Sequence, residues 1–310
     1  MNLHNDLETF KDLIQLTSSK LSIPEDFVRR DYYIVLILKR LSESEYSKSC
    51  IFKGGTSLSK CYPGSIERFS EDIDLTYVPI PEETNKQIEL HLKRIENLLS
   101  VDCSHFEKID DERNCRNKSS NLFYNQNRVK LEIGSSIKPD PVDIKYIRSF
   151  IHEYLESIGR KDALNKYEID EVQVYSLRIE RTFLDKVFAI KRHAMCGTLN
   201  IKVRHIYDVV RLMNREEIKQ FLNKKDELKR LVHLTKSTDH FYFEKRVNNY
   251  PFDPLSNYDL NSWIDRFDNN VRKQYESLHE SILLTNIKQN LDDALKTLCI
   301  INNIFIMIDE

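Results

Sequence analysis

Residues 50–75 read CIFKGGTSLSKCYPGSIERFSEDIDL, and this stretch decides the fold. Cys50-Ile51-Phe52 is a short apolar run closed by glycines, the pattern of a buried strand. Gly54 and Gly55 follow Lys53 at once, in a chain that has only 6 Gly. Glycine tolerates positive φ and lets the backbone approach a ligand closely. Thr56 and Ser57 add hydroxyl donors, and the residues after them can open a helix whose N-terminus favours anions. These are the parts of a phosphate cradle, without the GxxxxGK[ST] spacing of a Walker P-loop. Asp72 and Asp74 then alternate with Ile73 and Leu75, so on a strand both carboxylates point to one face. Two like charges ~4 Å apart repel by roughly 4 kcal/mol at an effective dielectric of 20. A divalent cation resolves that repulsion, and oxygen-only ligands favour Mg2+ or Mn2+ over zinc. Solvated acids on an edge strand are the plainer alternative, and the Gly-Gly-Thr-Ser turn upstream weighs against it.

A third acid lies in Val129-Lys130-Leu131-Glu132-Ile133-Gly134. Val129, Leu131 and Ile133 share one face of this predicted strand, and Lys130 and Glu132 share the other. Beside the 72–77 strand, Glu132 would join Asp72 and Asp74 as a metal ligand. Three carboxylates can hold two metal ions, which suits transfer from a triphosphate, and one of them can accept the acceptor's proton. Taken alone, Glu132 is an ordinary surface acid.

Outward from this centre, Leu7–Thr17 and the stretch from Pro24 to Leu41 have helical spacing, the second with Glu25 and Asp26 in its first turn. Residues 85–99 are helical, 122–124 and 172–177 are strands, and Asn125-Gln126-Asn127 is a hairpin turn. From Arg181 the chain is mainly helical, with Phe183, Leu184, Val187, Phe188 and Ile190 on one stripe and breaks at Pro251 and Pro254. The predicted class is α+β: a mixed sheet with flanking helices over 1–175, then a mainly helical domain over 176–310.

Apolar residues are 40% and charged residues 31% of the chain. The longest apolar stretch, Leu298–Ile308, is interrupted by Asn302-Asn303 and falls short of a bilayer span. The N-terminus has no apolar signal region, so a cytoplasmic protein with no membrane partner is expected. Six cysteines without a CxxC pair point to reduced structural thiols. The net charge of −2 hides a division: residues 181–250 carry 16 Lys and Arg against 8 Asp and Glu. A basic block within an acidic chain suits a local anionic partner, or is a solvated helical face.

KGGTSL and RFSEDIDL, at residues 53–58 and 68–75, resemble the first motif of the AbiEii/AbiGii toxin family, a branch of the DNA polymerase β-like nucleotidyltransferases. Val28-Arg29-Arg30-Asp31-Tyr32-Tyr33 resembles that family's EKDYW helix, with Arg and Tyr in place of Lys and Trp. KLEI at 130–133 resembles its third-carboxylate strand. ERTFLDKVFA at 180–189 resembles its EKLxAL helix, with Asp185 replacing Glu, and RHIYDV at 204–209 resembles RDLYDL, with His205 replacing Asp. The matches run in order over residues 25–215.

The resemblance implies a nucleotidyltransferase sheet and a helical lobe closing over the nucleotide. It implies metal-dependent transfer of a nucleotide from an NTP, with Asp72, Asp74 and Glu132 as the acids and Mg2+ or Mn2+ as cofactor. Gly55, Thr56 and Ser57 would hold phosphates, and Lys186 and Asp208 match helical-lobe positions needed for activity. It further implies the toxin half of a type IV toxin–antitoxin or abortive-infection pair, a cognate antitoxin, and an RNA acceptor such as a tRNA 3′ end. The residues add Lys53, Gly54, Arg68, Ser70 and Arg204 as candidate nucleotide-binding groups. Arg204 and Asp208 also stand i,i+4, the spacing of an ordinary helix-surface pair. AMPylation-like modification of a protein hydroxyl, and a retired enzyme serving as a binding module, are the competing readings. Trp263 and the tyrosines of 242–258 read as core rather than base-stacking groups.

Overall fold

The computed structural model describes residues 2–101, 106–124, 126–244 and 252–309, and for 242–244, 279 and 309 the backbone alone. The chain forms two compact units. The first consists of Met1–Cys61, Phe69–Ser135 and Val142–Leu177. The second joins Arg178–Glu310 with Tyr62–Arg68 and Ser136–Pro141, two stretches that the sequence reading placed in the first domain.

The first unit carries helices α1 (Leu7–Leu21), α2 (Glu25–Ser42), α3 (Gly54–Cys61), α4 (Asn85–Leu99), α5 (Phe150–Ser157) and α6 (Lys161–Tyr167). Its strands are β1 (Cys50–Lys53), β2 (Asp72–Tyr77), β3 (Phe106–Asn114), β4 (Asn117–Tyr124), β5 (Asn127–Gly134), β6 (Val142–Ile147) and β7 (Val172–Leu177). They form one mixed sheet in the order β3-β4-β5-β2-β1-β7-β6. β2 runs antiparallel to β1 and parallel to β5. The apolar members of the alternating strands, Ile73, Leu75, Leu122, Val129, Leu131 and Ile133, are all buried. From α2, the Tyr33 ring stacks on Tyr124 at 3.9 Å. Pro24 precedes α2, where its fixed φ suits a helix entry, and Lys39 and Arg40 occupy the last turn, where cations favour the carbonyl end.

Two strands were not anticipated. β3 is a polar edge strand, FEKIDDERN, exposed over most of its length, so it lacks the burial that produces alternation. β6 does alternate, but Ile144 and Tyr146 are 50% and 60% exposed on the opposite sheet edge. β4 and β5 extend beyond the predicted 122–124 and 129–133, pairing from Asn117↔Gly134 to Tyr124↔Asn127. Of the predicted turn, Asn125 lies outside the described residues, as do Pro251 and Cys103.

The second unit contains α7 (Ile179–Met195), α8 (Arg204–Met213), α9 (Glu216–Asn223), α10 (Lys225–Glu244), α11 (Asn269–Glu276), α12 (Leu278–Ser281) and α13 (Leu291–Asp309). Trp263 and Tyr258 are buried, their rings 5.4 Å apart and edge-on, so they are core groups. Tyr250 and the Tyr242 side chain lie outside the described residues. Asn302, which interrupts the apolar tail, is buried and accepts a hydrogen bond from the Leu260 N–H at 2.9 Å. No helix among the described residues is long and apolar enough to cross a membrane. The five described cysteines are free, and burial pushes the Cys50 and Cys61 thiols up to about 12 and about 11.

Candidate active site

The site in the first unit begins where β1 runs into α3 without a loop. Gly54 makes that junction at φ +83°, a conformation that costs a side-chain-bearing residue strain. A Cβ built on Gly54 would stand 2.1 Å from Asp74 Oδ2, so the missing side chain is also what admits the carboxylate. Lys53 is the register partner of Asp74 in the β1–β2 pair. Gly55 lies buried in the first turn of α3.

The hydroxyls of Thr56 and Ser57 bond within the first unit. Thr56 is buried, and its Oγ1 lies 3.0 Å from Ser70 Oγ and 2.5 Å from the carbonyl oxygen of Asp72, to which it donates. Ser57 is likewise buried, with its Oγ 2.7 Å from that of Ser176 in β7. Both side chains tie α3 to the sheet. Ser70 serves the same internal tie.

The acids meet through the β2–β5 register. Asp72 pairs with Lys130 and Asp74 with Glu132, so the three carboxylates occupy one face of two adjacent strands. The Glu132 carboxyl is a hydrogen-bond neighbour of Asp74. It also binds Lys130, whose Nζ stands 2.6 Å from Oε1. Burial would raise the Glu132 carboxyl, but the hydrogen bond and charge of Lys130, with the charge of Lys53, outweigh it and hold the group below its ordinary range. Lys130 reaches Asp111 of β3 as well, at 3.3 Å. Arg30 of α2 and Arg128 of β5 both pair with Glu71, the residue next to Asp72, and so brace the start of the acid strand. Among the described residues, no three His, Cys, Asp or Glu side chains converge closely enough to hold a metal ion in this arrangement. The donor set is nonetheless chemically suited to one: oxygen-only carboxylates on a shared face, two of them in contact.

The helical unit holds a separate cluster. Arg68 grips Asp208 with both prongs of its guanidinium, Nε to Oδ1 and Nη2 to Oδ2, each at 2.7 Å. Lys186 Nζ stands 2.7 Å from the same Oδ2. All three side chains are buried. Burial raises the Asp208 carboxyl, and the charges and hydrogen bonds of Arg68 and Lys186 overcome this and hold it far below the carboxylate range. Arg68, expected to meet nucleotide, is thus committed to Asp208. The i,i+4 pair of Arg204 with Asp208 does not form, because Asp208 points to Arg68 and Lys186 instead. Arg204 makes no ion pair among the described residues and lines an open hollow with Gln274, Ser277 and Ser281. Burial and the nearby Lys186 charge push the His205 imidazole well down, so it is neutral at pH 7.

Lys130, which the structure places beside Glu132, and Asp111, which it pairs with Lys130, are not among the site residues expected from the sequence. Lys130 had a visible signal, since it shares the polar face of its strand with Glu132. Asp111 had none, because its strand is too polar to announce itself.

Residues 36–297 match the family described as "Nucleotidyl transferase AbiEii toxin, Type IV TA system". Among solved structures, MenT4, a nucleotidyltransferase toxin from Mycobacterium tuberculosis H37Rv, is similar at 15% identity, with 95% of this chain and 98% of that chain covered and a TM-score of 0.48. JHP933 from Helicobacter pylori is similar at 15% identity over 89% of this chain and 99% of that one, with a TM-score of 0.39. No curated protein matches the sequence.

Proposed function

The chain belongs to the AbiEii nucleotidyltransferase toxin family of type IV toxin–antitoxin systems and is a nucleotidyltransferase; from that premise we propose that it moves a nucleotide from an NTP to an RNA hydroxyl, a tRNA 3′ end being the acceptor class, in the cytoplasm and under control of a cognate antitoxin. The observation that carries the reading is the apposition of Gly54 to Asp74, with Glu132 in register beside Asp74. It brings a glycine helix entry and a carboxylate face to one place.

In the reaction the acceptor hydroxyl attacks the α-phosphorus. A new P–O bond forms, the bond to the β-phosphate's bridging oxygen breaks, and pyrophosphate leaves with the electron pair. Asp72, Asp74 and Glu132 would hold Mg2+ or Mn2+, which when bound neutralises phosphate charge and polarises the reacting oxygens. Glu132, held ionised by Lys130 and Lys53 before a metal binds, is the group assigned to take the hydroxyl proton. Gly54 and Gly55 present backbone N–H groups of α3 to the donor's phosphates. Lys53, the register partner of Asp74, adds a cation at that entry. In the helical unit, Asp208 is assigned as the residue that fixes Lys186 and Arg68, and Arg204 as a cation left for an anionic ligand.

The test is incubation of the purified protein with each labelled NTP and either total RNA, purified tRNA or protein substrates. Label in RNA that falls to background in Asp72→Ala/Asp74→Ala is the expected result. Label in protein alone would move the assignment to the AMPylation-like reading. RNA labelling that survives in the double variant would refute the site.

A further inference from the structure

Lys130 lies in the middle of the acid face. Its register partner on β2 is Asp72, its Nζ is 2.6 Å from Glu132 and 3.3 Å from Asp111, and Glu132 in turn neighbours Asp74. An ammonium with acid on two sides is a singly charged cation in the place where a doubly charged one is expected. It is three-quarters shielded, with 25% of its side chain exposed, whereas Glu132 and Asp111 are 38% and 37% exposed and open enough to accept another partner.

Asp111 gives this arrangement a second resting place. It sits on the edge strand β3, near a register shift between Asp110 and Arg113, and its Oδ2 is 3.4 Å from Ser119 Oγ, a residue directly opposite Glu132 on β4. Lys130 can therefore release Glu132 without losing a carboxylate partner.

We propose that Lys130 is an internal counter-ion that occupies Glu132 in the metal-free protein and is exchanged onto Asp111 when a divalent cation binds. Lys130 and Asp111 are positioning residues, acting on metal affinity through Glu132. This rests on the metal-binding reading of Asp72, Asp74 and Glu132, and goes beyond it by naming the groups that set how tightly the ion is held.

Coulomb competition fixes the direction of each effect. Lys130→Met removes the competing charge and frees Glu132, so the affinity for divalent ion rises. Asp111→Asn removes the alternative acceptor, so Lys130 holds Glu132 harder and the affinity falls. In the double variant the Asp111→Asn effect disappears, because no lysine remains to be relocated. Changes on the order of fivefold are expected, at the low end of usual coupling energies.

The experiment titrates the nucleotide-free protein with Mn2+ alone and reads bound ion by water proton relaxation, with circular dichroism to confirm that each variant is folded. Lys130→Arg, which keeps the charge, serves as the second variant and should bind as the parent does. Unchanged or weaker Mn2+ binding in folded Lys130→Met, or additive effects in the double variant, overturns the exchange. Asp74→Asn separates the two readings. Binding lost there but indifferent to Lys130 defeats the exchange alone, whereas Mn2+ binding that survives Asp74→Asn defeats the metal assignment beneath it.

Discussion

Gly54 shows how much one missing side chain can carry. At φ +83° and with a Cβ position 2.1 Å from Asp74 Oδ2, it meets a backbone demand and a contact demand at once. Gly54→Ala should cost ~1–3 kcal/mol from left-handed strain alone. Chemical denaturation measures this, and a change below about 0.5 kcal/mol, within the range of ordinary surface substitutions, would show that the junction relaxes freely. The same residue shows what was legible in the sequence. A Gly-Gly pair in a glycine-poor chain marks a place where the backbone does special work. Which atom crowds it could not be read, because Asp74 is twenty positions away and arrives through strand pairing. Thr56 and Ser57 teach the converse. Their residue type suggests donors to a ligand, and in the structure both hydroxyls bond to the neighbouring strands, as buried hydroxyls find partners.

At the scale of elements, α3 is tied to β2 by the Thr56 hydroxyl and to β7 by the Ser57 hydroxyl. Thr56→Val keeps the shape and deletes the bonds to Ser70 and to the Asp72 carbonyl. Losing the two bonds should cost ~1–3 kcal/mol, measured as the fall in denaturant midpoint at constant slope. The elements predicted from period were those with one face in the core: α1, α2, α4, β2, β5 and β7. The strands missed, β3 and β6, are the two sheet edges: β3 is too polar to show a period, and β6 alternates but leaves Ile144 and Tyr146 exposed. That loss extends to Asp111, the second ion-pair partner of Lys130, which comes from β3.

At the scale of the whole molecule, the chain returns to its second unit by short excursions. Tyr62–Arg68 leaves the sheet between α3 and β2 and delivers Arg68 to Asp208, which also receives Lys186. Three stretches far apart in sequence thus share one buried ion cluster. Asp208→Asn leaves two buried cations without their carboxylate, and a loss of ~3–5 kcal/mol at pH 7 is expected. The pH dependence has a definite sign. Asp208 titrates lower in the folded protein than unfolded, so its stabilisation is complete above the unfolded carboxylate value of about 4 and drains as the pH falls below it. Asp208→Asn should flatten that part of the acid limb in thermal melts, and an unchanged limb would show that the cluster does not hold the unit together.

The sequence by itself determined the α+β class, the acid pair on one strand face, the third acid on a second strand, and membership of a nucleotidyltransferase family. These follow from period and local motif, which a linear chain displays because neighbouring residues share one element. Only the tertiary structure decided that β2 and β5 are parallel neighbours in the register that sets Glu132 beside Asp74. It alone set Lys130 between Glu132 and Asp111, and Arg68 on Asp208. Such pairings depend on which distant segments exclude water from one another, and no stretch of sequence records them.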